Sequence, residues 1–134
     1  MPIATLRETC IAIVGKLCTL APSSLNKTVA SAVQVLAADG TLPAESKTLL
    51  SDYAKAADLD YLEELNAEPF NEHACTEKFV TARISSAALL ASQADRTQLM
   101  DSLYESYHAA LEIPGAIDSA FSTLLCNDTD GTTL

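Results

Sequence analysis

Apolar residues recur at three- and four-residue intervals along most of this chain. Between residues 3 and 20, Leu6, Cys10, Ile13, Val14 and Leu17 fall on one face of a helix. Pro22-Ser23-Ser24 stops that run and offers an N-cap for a second helix over 25–38, with Val29, Ala32, Val33 and Leu36 facing inward. Gly40 stands where a left-handed C-cap residue is expected. A third helix starts at Pro43, since proline is tolerated in a first turn, and its buried face is Leu49, Leu50, Tyr53 and Ala57. Asp58 or Asp60 caps a short fourth helix that runs to Leu65, and Pro69 closes it. A long helix follows over 71–94, with Phe79, Val80, Ile84, Ala87, Ala88 and Ala91 inward. Its SSAALLAS run has side chains small enough for another helix to approach closely. The next helix spans 96–111, with Leu99, Leu103, Tyr107 and Ala110 on one face. Past the Pro114-Gly115 turn, Ile117, Phe121, Leu124 and Leu125 form a final stripe.

This pattern predicts an all-α fold, a compact bundle of six or seven helices. The stretch SAVQVLAADG leading to SKTLLSDYAKAADL matches SAALLASQAD leading to RTQLMDSLYESYHAAL, which suggests two related helical-hairpin halves. The boundaries that follow are one helical domain over 1–126 and a polar C-terminal tail, NDTDGTTL, over 127–134.

Composition supports helices, with abundant Ala and Leu, 4 Gly, 5 Pro and no Trp, and 49% hydrophobic residues supply a core. Charge changes the picture more. Eighteen acidic against 8 basic residues leave a net charge of −10, and no two Lys or Arg are adjacent. Nucleic acid and anionic membrane surfaces would repel such a chain. Partners are expected among cations, proteins with a basic surface, or further copies of the chain. The small-residue helix faces and tyrosines permit a homodimer. The CIAIVG run near the N-terminus is flanked by Glu8 and Lys16 and is too short to cross a bilayer. Cys10, Cys18, Cys75 and Cys126 form no CxxC pair and read as small buried thiols of a reduced, cytoplasmic protein.

The stretch VLAADGTLPAESKTLL, residues 35–50, raises the question of a metal loop. With Gly40 at position 6 of a calcium EF-hand loop, positions 1 and 3 are Val35 and Ala37, without side-chain oxygens, and position 12 is Ser46. An EF-hand is therefore excluded. The bland reading is a helix stop and turn. The sharper one has Asp39 and Glu45 converge across the turn, joined by Asp95 from the repeat-related turn, to hold Ca²⁺, Mg²⁺ or Mn²⁺.

LAADGTLPAES, placed between an apolar helix and a Leu-rich one, resembles the tellurite-resistance protein B (TerB) family. That family has Ala-Asp-Gly, a variable residue, an aliphatic residue and then a Glu-rich helix start, here Ala38, Asp39, Gly40, Thr41, Leu42 and Glu45. The resemblance implies a bundle of about seven helices in two related halves and an accessory role in stress responses, including resistance to tellurium oxyanions. It also implies an acidic surface at the Asp-Gly turn that binds metal or a partner, and no catalytic residue. Two departures stand out: Pro43 replaces the usual capping residue, and the second half has Asp95-Arg96 in place of Asp-Gly. The expected function is a non-enzymatic stress-response interaction module with an acidic face. The alternative is a metal-dependent enzyme or enzyme accessory using the carboxylates around Asp39.

The acidic face is sought in residues 56–77. Asp58, Asp60, Glu63, Glu64, Glu68, Glu72 and Glu77 lie there with no Lys or Arg between them. They form either a solvated helical face or a docking surface for a basic partner, centred on Asp58, Asp60, Glu63, Glu64 and Glu68. His73 and Cys75 are two apart and on a helix would not face each other, which disfavours a Cys–His nucleophile. Zinc on Cys75, His73 and His108 matches no ligand spacing. Tyr53, Tyr61, Tyr104 and Tyr107 read as core-edge residues with wet hydroxyls.

Overall fold

The computed structural model describes residues 1–122 and residue 124. Six helices account for the order in this span: α1 (Ile3–Leu20), α2 (Lys27–Asp39), α3 (Ala44–Leu65), α4 (Glu72–Ala91), α5 (Arg96–Leu111) and α6 (116–122). No strand occurs among the described residues. The expected places of Leu125, Cys126 and the tail lie outside them.

Each helix starts and stops for local reasons. Ser23 and Ser24 do not cap α2. They form a turn, and Asn26 takes the cap, its side chain accepting from the Thr28 N–H at 2.8 Å. Gly40 ends α2 at φ 77°, its N–H donating to the Leu36 carbonyl at 2.8 Å, the left-handed cap that glycine reaches without a Cβ penalty. Leu42, two residues on, then drops into the core. Asn71 caps α4 and Asp95 caps α5, each accepting a backbone N–H with its side chain.

The break expected before Leu65 does not occur, and α3 runs unbroken for 22 residues. Asp58 and Asp60 sit inside it and cap nothing. No Gly or Pro interrupts 44–65, and an internal Asp costs a helix only a few tenths of a kcal/mol, about what a partner on a neighbouring helix returns.

The core is continuous. Leu6, Cys10, Ile13, Val14 and Leu17 of α1 meet Val29, Val33 and Leu36 of α2, Leu50 of α3, Val80 and Ile84 of α4, Leu99 of α5 and Phe121 of α6. α4 touches each of α1, α2, α3 and α5, and its pairing with α5 is the most extensive in the fold. The pairing of α2 with α3 is much slighter, so the two hairpins suggested by the internal repeat share a connection pattern and not a packing pattern. On α3 the buried positions are Leu50 and Ala54, while Leu49 points outward.

The face of α5 differs from its sequence pattern. Leu99, Ser102, Ser106, Ala109 and Ala110 are buried, Leu103 is half-buried, and Tyr107 is 47% exposed. The inward face is thus made of small residues. The Ser102 hydroxyl donates to the Ala87 carbonyl of α4 at 2.8 Å, and the Cys10 thiol of α1 donates to the Leu99 carbonyl at 3.3 Å. A serine hydroxyl reaches barely beyond its own Cβ, so this bond requires the two helix backbones to lie close together.

Candidate functional site

The acidic segment divides into two sets of carboxylates. Asp58 and Asp60 point at α4, where Arg83 and Lys78 meet them. Arg83 donates from Nη2 to Asp58 Oδ1 at 2.5 Å and from Nη1 to Glu105 Oε2 of α5 at 2.7 Å. Its guanidinium also lies 5.7 Å from the centroid of the Phe79 ring. One cation therefore ties α3, α4 and α5 together. Lys78 Nζ stands 3.2 Å from Asp60 Oδ2, and His73 Nε2 stands 3.0 Å from Glu77 Oε1 one turn away. Asp58 and Asp60, expected at the centre of a partner-docking face, thus hold internal counter-ions while their side chains stay 44% and 59% accessible. Residues 56–77 contain no cation of their own, and the missing charge arrives from 78 and 83 across the helix interface.

Glu63, Glu64, Glu68 and Glu72 are different. None is in an ion pair among the described residues. They surround the end of α3 and the connection to α4, where Leu59, Leu62 and Phe70 are 63%, 49% and 54% exposed. An open cleft lies there between Glu64, Pro69, Phe70, Glu72 and His73.

The turn after α2 places Asp39 as the last residue of that helix and Glu45 in the first turn of α3, both exposed. Asp95 is committed as the N-cap of α5, its Oδ2 accepting from the Gln98 N–H at 3.1 Å. Asp39, Glu45 and Asp95 are not gathered as a three-ligand group, and no such group of His, Cys, Asp or Glu exists among the described residues. Cys75, His73 and His108 are not gathered either: His73 pairs with Glu77, and the His108 ring lies 4.3 Å from that of Tyr104. Asp39 sits at the negative end of the α2 dipole, where a carboxylate is unfavourable.

Three of the thiols lie within the described residues, and none is in a disulfide. Burial pushes both Cys10 and Cys18 from an ordinary value of 9.0 up to about 11, which keeps them protonated at neutral pH. Cys75 is also buried.

Two of the four tyrosines depart from the core-edge reading. Tyr53 and Tyr61 are half-buried, whereas Tyr104 is 62% exposed. Together with Met100, Leu103 and Tyr107 it forms one wall of an apolar groove of about 590 Å³, whose other wall is Ile117 and Phe121 of α6. Sequence periodicity conceals this groove, because it places Tyr107 in the core stripe. The signal available was the second series Met100, Tyr104, Tyr107 and Leu111, spaced four, three and four.

No helix among the described residues is long and apolar enough to cross a membrane. No protein-family model, curated protein or solved structure matches this chain.

Two outcomes follow from these residues. A thiol whose folded pKa lies above its unfolded value stabilises the fold fully below the unfolded value and loses that contribution as pH rises through the folded one. Stability should therefore fall between about pH 9 and pH 11, by up to ~1.4 kcal/mol per pH unit for each thiol. Urea titrations across that range should show a shallower decline in a Cys10→Ala/Cys18→Ala variant; an identical slope would count against buried thiols. For Asp39, relief of the dipole conflict should make Asp39→Asn slightly more stable in chelator-treated protein. Thermal melts with millimolar Ca²⁺, Mg²⁺ or Mn²⁺ then test the turn as a cation site, since bound metal would reverse that order and an unchanged order would leave Asp39 as a helix end.

Proposed function

We propose that this chain is a non-enzymatic interaction module whose acidic end, where α3 passes into α4, docks a protein with a basic surface. The observation that carries the reading is the set Glu63, Glu64, Glu68 and Glu72, which have no counter-ion among the described residues and stand beside the exposed side chains of Leu59, Leu62 and Phe70. Carboxylates set around apolar residues speed encounter with a cationic partner and then supply a desolvated contact. The protonated thiols and the internally neutralised Asp58 and Asp60 favour binding over covalent or acid–base chemistry. A role in stress responses, of the kind the TerB-like residues Ala38–Glu45 imply, and a cytoplasmic setting for the free cysteines complete the proposal.

An oligolysine peptide is the simplest probe. In an amide NMR titration it should shift residues 62–72 and leave the surroundings of Asp58 and Asp60 largely unmoved. The Glu63→Gln/Glu64→Gln/Glu68→Gln variant should bind about tenfold more weakly, and raising salt from about 0.05 M to about 0.5 M should weaken the wild type at least as much. Shifts spread evenly over every exposed carboxylate, or binding indifferent to salt, would contradict the assignment.

A further inference from the structure

The α5–α6 groove is separate from the acidic end of α3 and calls for a different occupant. Met100, Tyr104 and Tyr107 line it on α5, and Leu111 continues their row one turn beyond; the four are 51%, 62%, 47% and 53% exposed. Those spacings place all four on one side of the helix, opposite the small-residue face that packs on α4. The wall is braced from within. The Tyr107 ring meets Phe121 of α6 edge-on at 6.1 Å, and the His108 ring supports Tyr104. From Met100 to Leu111 the row runs about 16 Å, the length of roughly three helical turns. Methionine and tyrosine are suited to such a surface, since one adapts its shape and the other offers large area at little entropic cost.

Charge identifies the occupant. From residue 97 to the end of the chain there is no Lys or Arg, while Asp101, Glu112 and Asp118 are acidic and in no ion pair among the described residues; Arg96, at the start of α5, turns its guanidinium to the Met1 carbonyl. Asp101 lines the groove, and Glu112 and Asp118 are exposed nearby. A second copy seated there would bring two negative faces together in a chain of net charge −10. The chain's own tail, NDTDGTTL, is polar, adds two more aspartates and has no apolar residue at helical spacing. Large apolar side chains in a straight row along one helix, facing a second helix across an open groove, match helix-in-groove recognition. We propose that this groove docks one amphipathic helix of a partner protein, about three turns long, with apolar residues at i, i+3 or i+4, and i+7, and Lys or Arg along its flanks.

The test uses three designed 18-residue peptides, each carrying one Trp, which the protein lacks. The first is a Leu/Lys amphipathic helix, the second has the same composition scrambled, and the third replaces Lys with Glu. Binding to the full chain is followed by Trp fluorescence and amide NMR, with sedimentation for oligomeric state. The amphipathic Leu/Lys helix should bind at least about tenfold more tightly than either control, with shifts centred on α5 and α6. Tyr104→Ala and Met100→Ala, both at exposed positions, should weaken it severalfold while leaving the thermal melt unchanged; Tyr104→Phe should keep most of the binding. Equal binding of the scrambled peptide, shifts confined to residues 62–72, a dimer that Tyr104→Ala dissolves, or a tail whose resonances move on Tyr104→Ala would each overturn the proposal. Shifts confined to residues 62–72 would leave the acidic-end reading intact, so the two assignments fail separately.

Discussion

The pairing of α4 with α5 depends on small side chains. Ala87, Ala88 and Ala91 on one helix, and Ser102, Ser106, Ala109 and Ala110 on the other, are almost wholly buried. At such a surface a larger side chain must displace a backbone and cannot simply bend aside. The Ser102 hydroxyl answers the Ala87 carbonyl across the contact, so one of the polar groups that proximity buries is satisfied. With its small face turned inward, α5 has its large residues on the opposite side. Met100, Tyr104, Tyr107 and Leu111 are outward for that reason, and the groove with α6 is the result.

The same helix α4 organises the charge. Arg83 holds Asp58 of α3 and Glu105 of α5 at once, and Lys78 holds Asp60. These contacts are partly exposed, with Asp58 44% accessible, so their value lies more in fixing how three helices meet than in raw stability. They also determine what negative charge remains for a partner. Glu63, Glu64, Glu68 and Glu72 lie beyond the reach of either cation, at the end where α3 runs past its packing against α4, and beside apolar side chains that the core leaves uncovered. The excess charge of the sequence is thus concentrated at specific places by tertiary pairing.

Much of the fold was legible in the residues. The stripes of α1 and α2, the glycine cap at Gly40 and the span of α5 follow from periodicity and punctuation, and the close helix contact was visible in SSAALLAS. What periodicity misjudged has a common cause. It counts serine as polar and tyrosine as core, yet Ser102 and Ser106 are inside and Tyr104 and Tyr107 are largely outside, because space between two helix backbones admits a hydroxyl and excludes a ring. Asp58 and Asp60 resembled caps because local rules read them without Arg83 and Lys78, which are about twenty residues away in sequence. For the candidate site, Glu63, Glu64 and Glu68 were legible as an acidic surface. The division between paired and unpaired carboxylates was not, since it is a property of side-chain reach in three dimensions. Asp39, Glu45 and Asp95 were linked by sequence similarity between two turns, and that similarity does not extend to how the two hairpins pack.

The central claim is that α5 presents its small face to α4 and its aromatic row to solvent. Nuclear Overhauser contacts in the isotopically labelled protein measure this directly. The account predicts contacts between Ser102 and Ala87, and none from the Tyr104 ring to any residue of α4. Strong Tyr104 contacts to the alanines of α4, with Ser102 facing water, would contradict it and remove the basis of the groove.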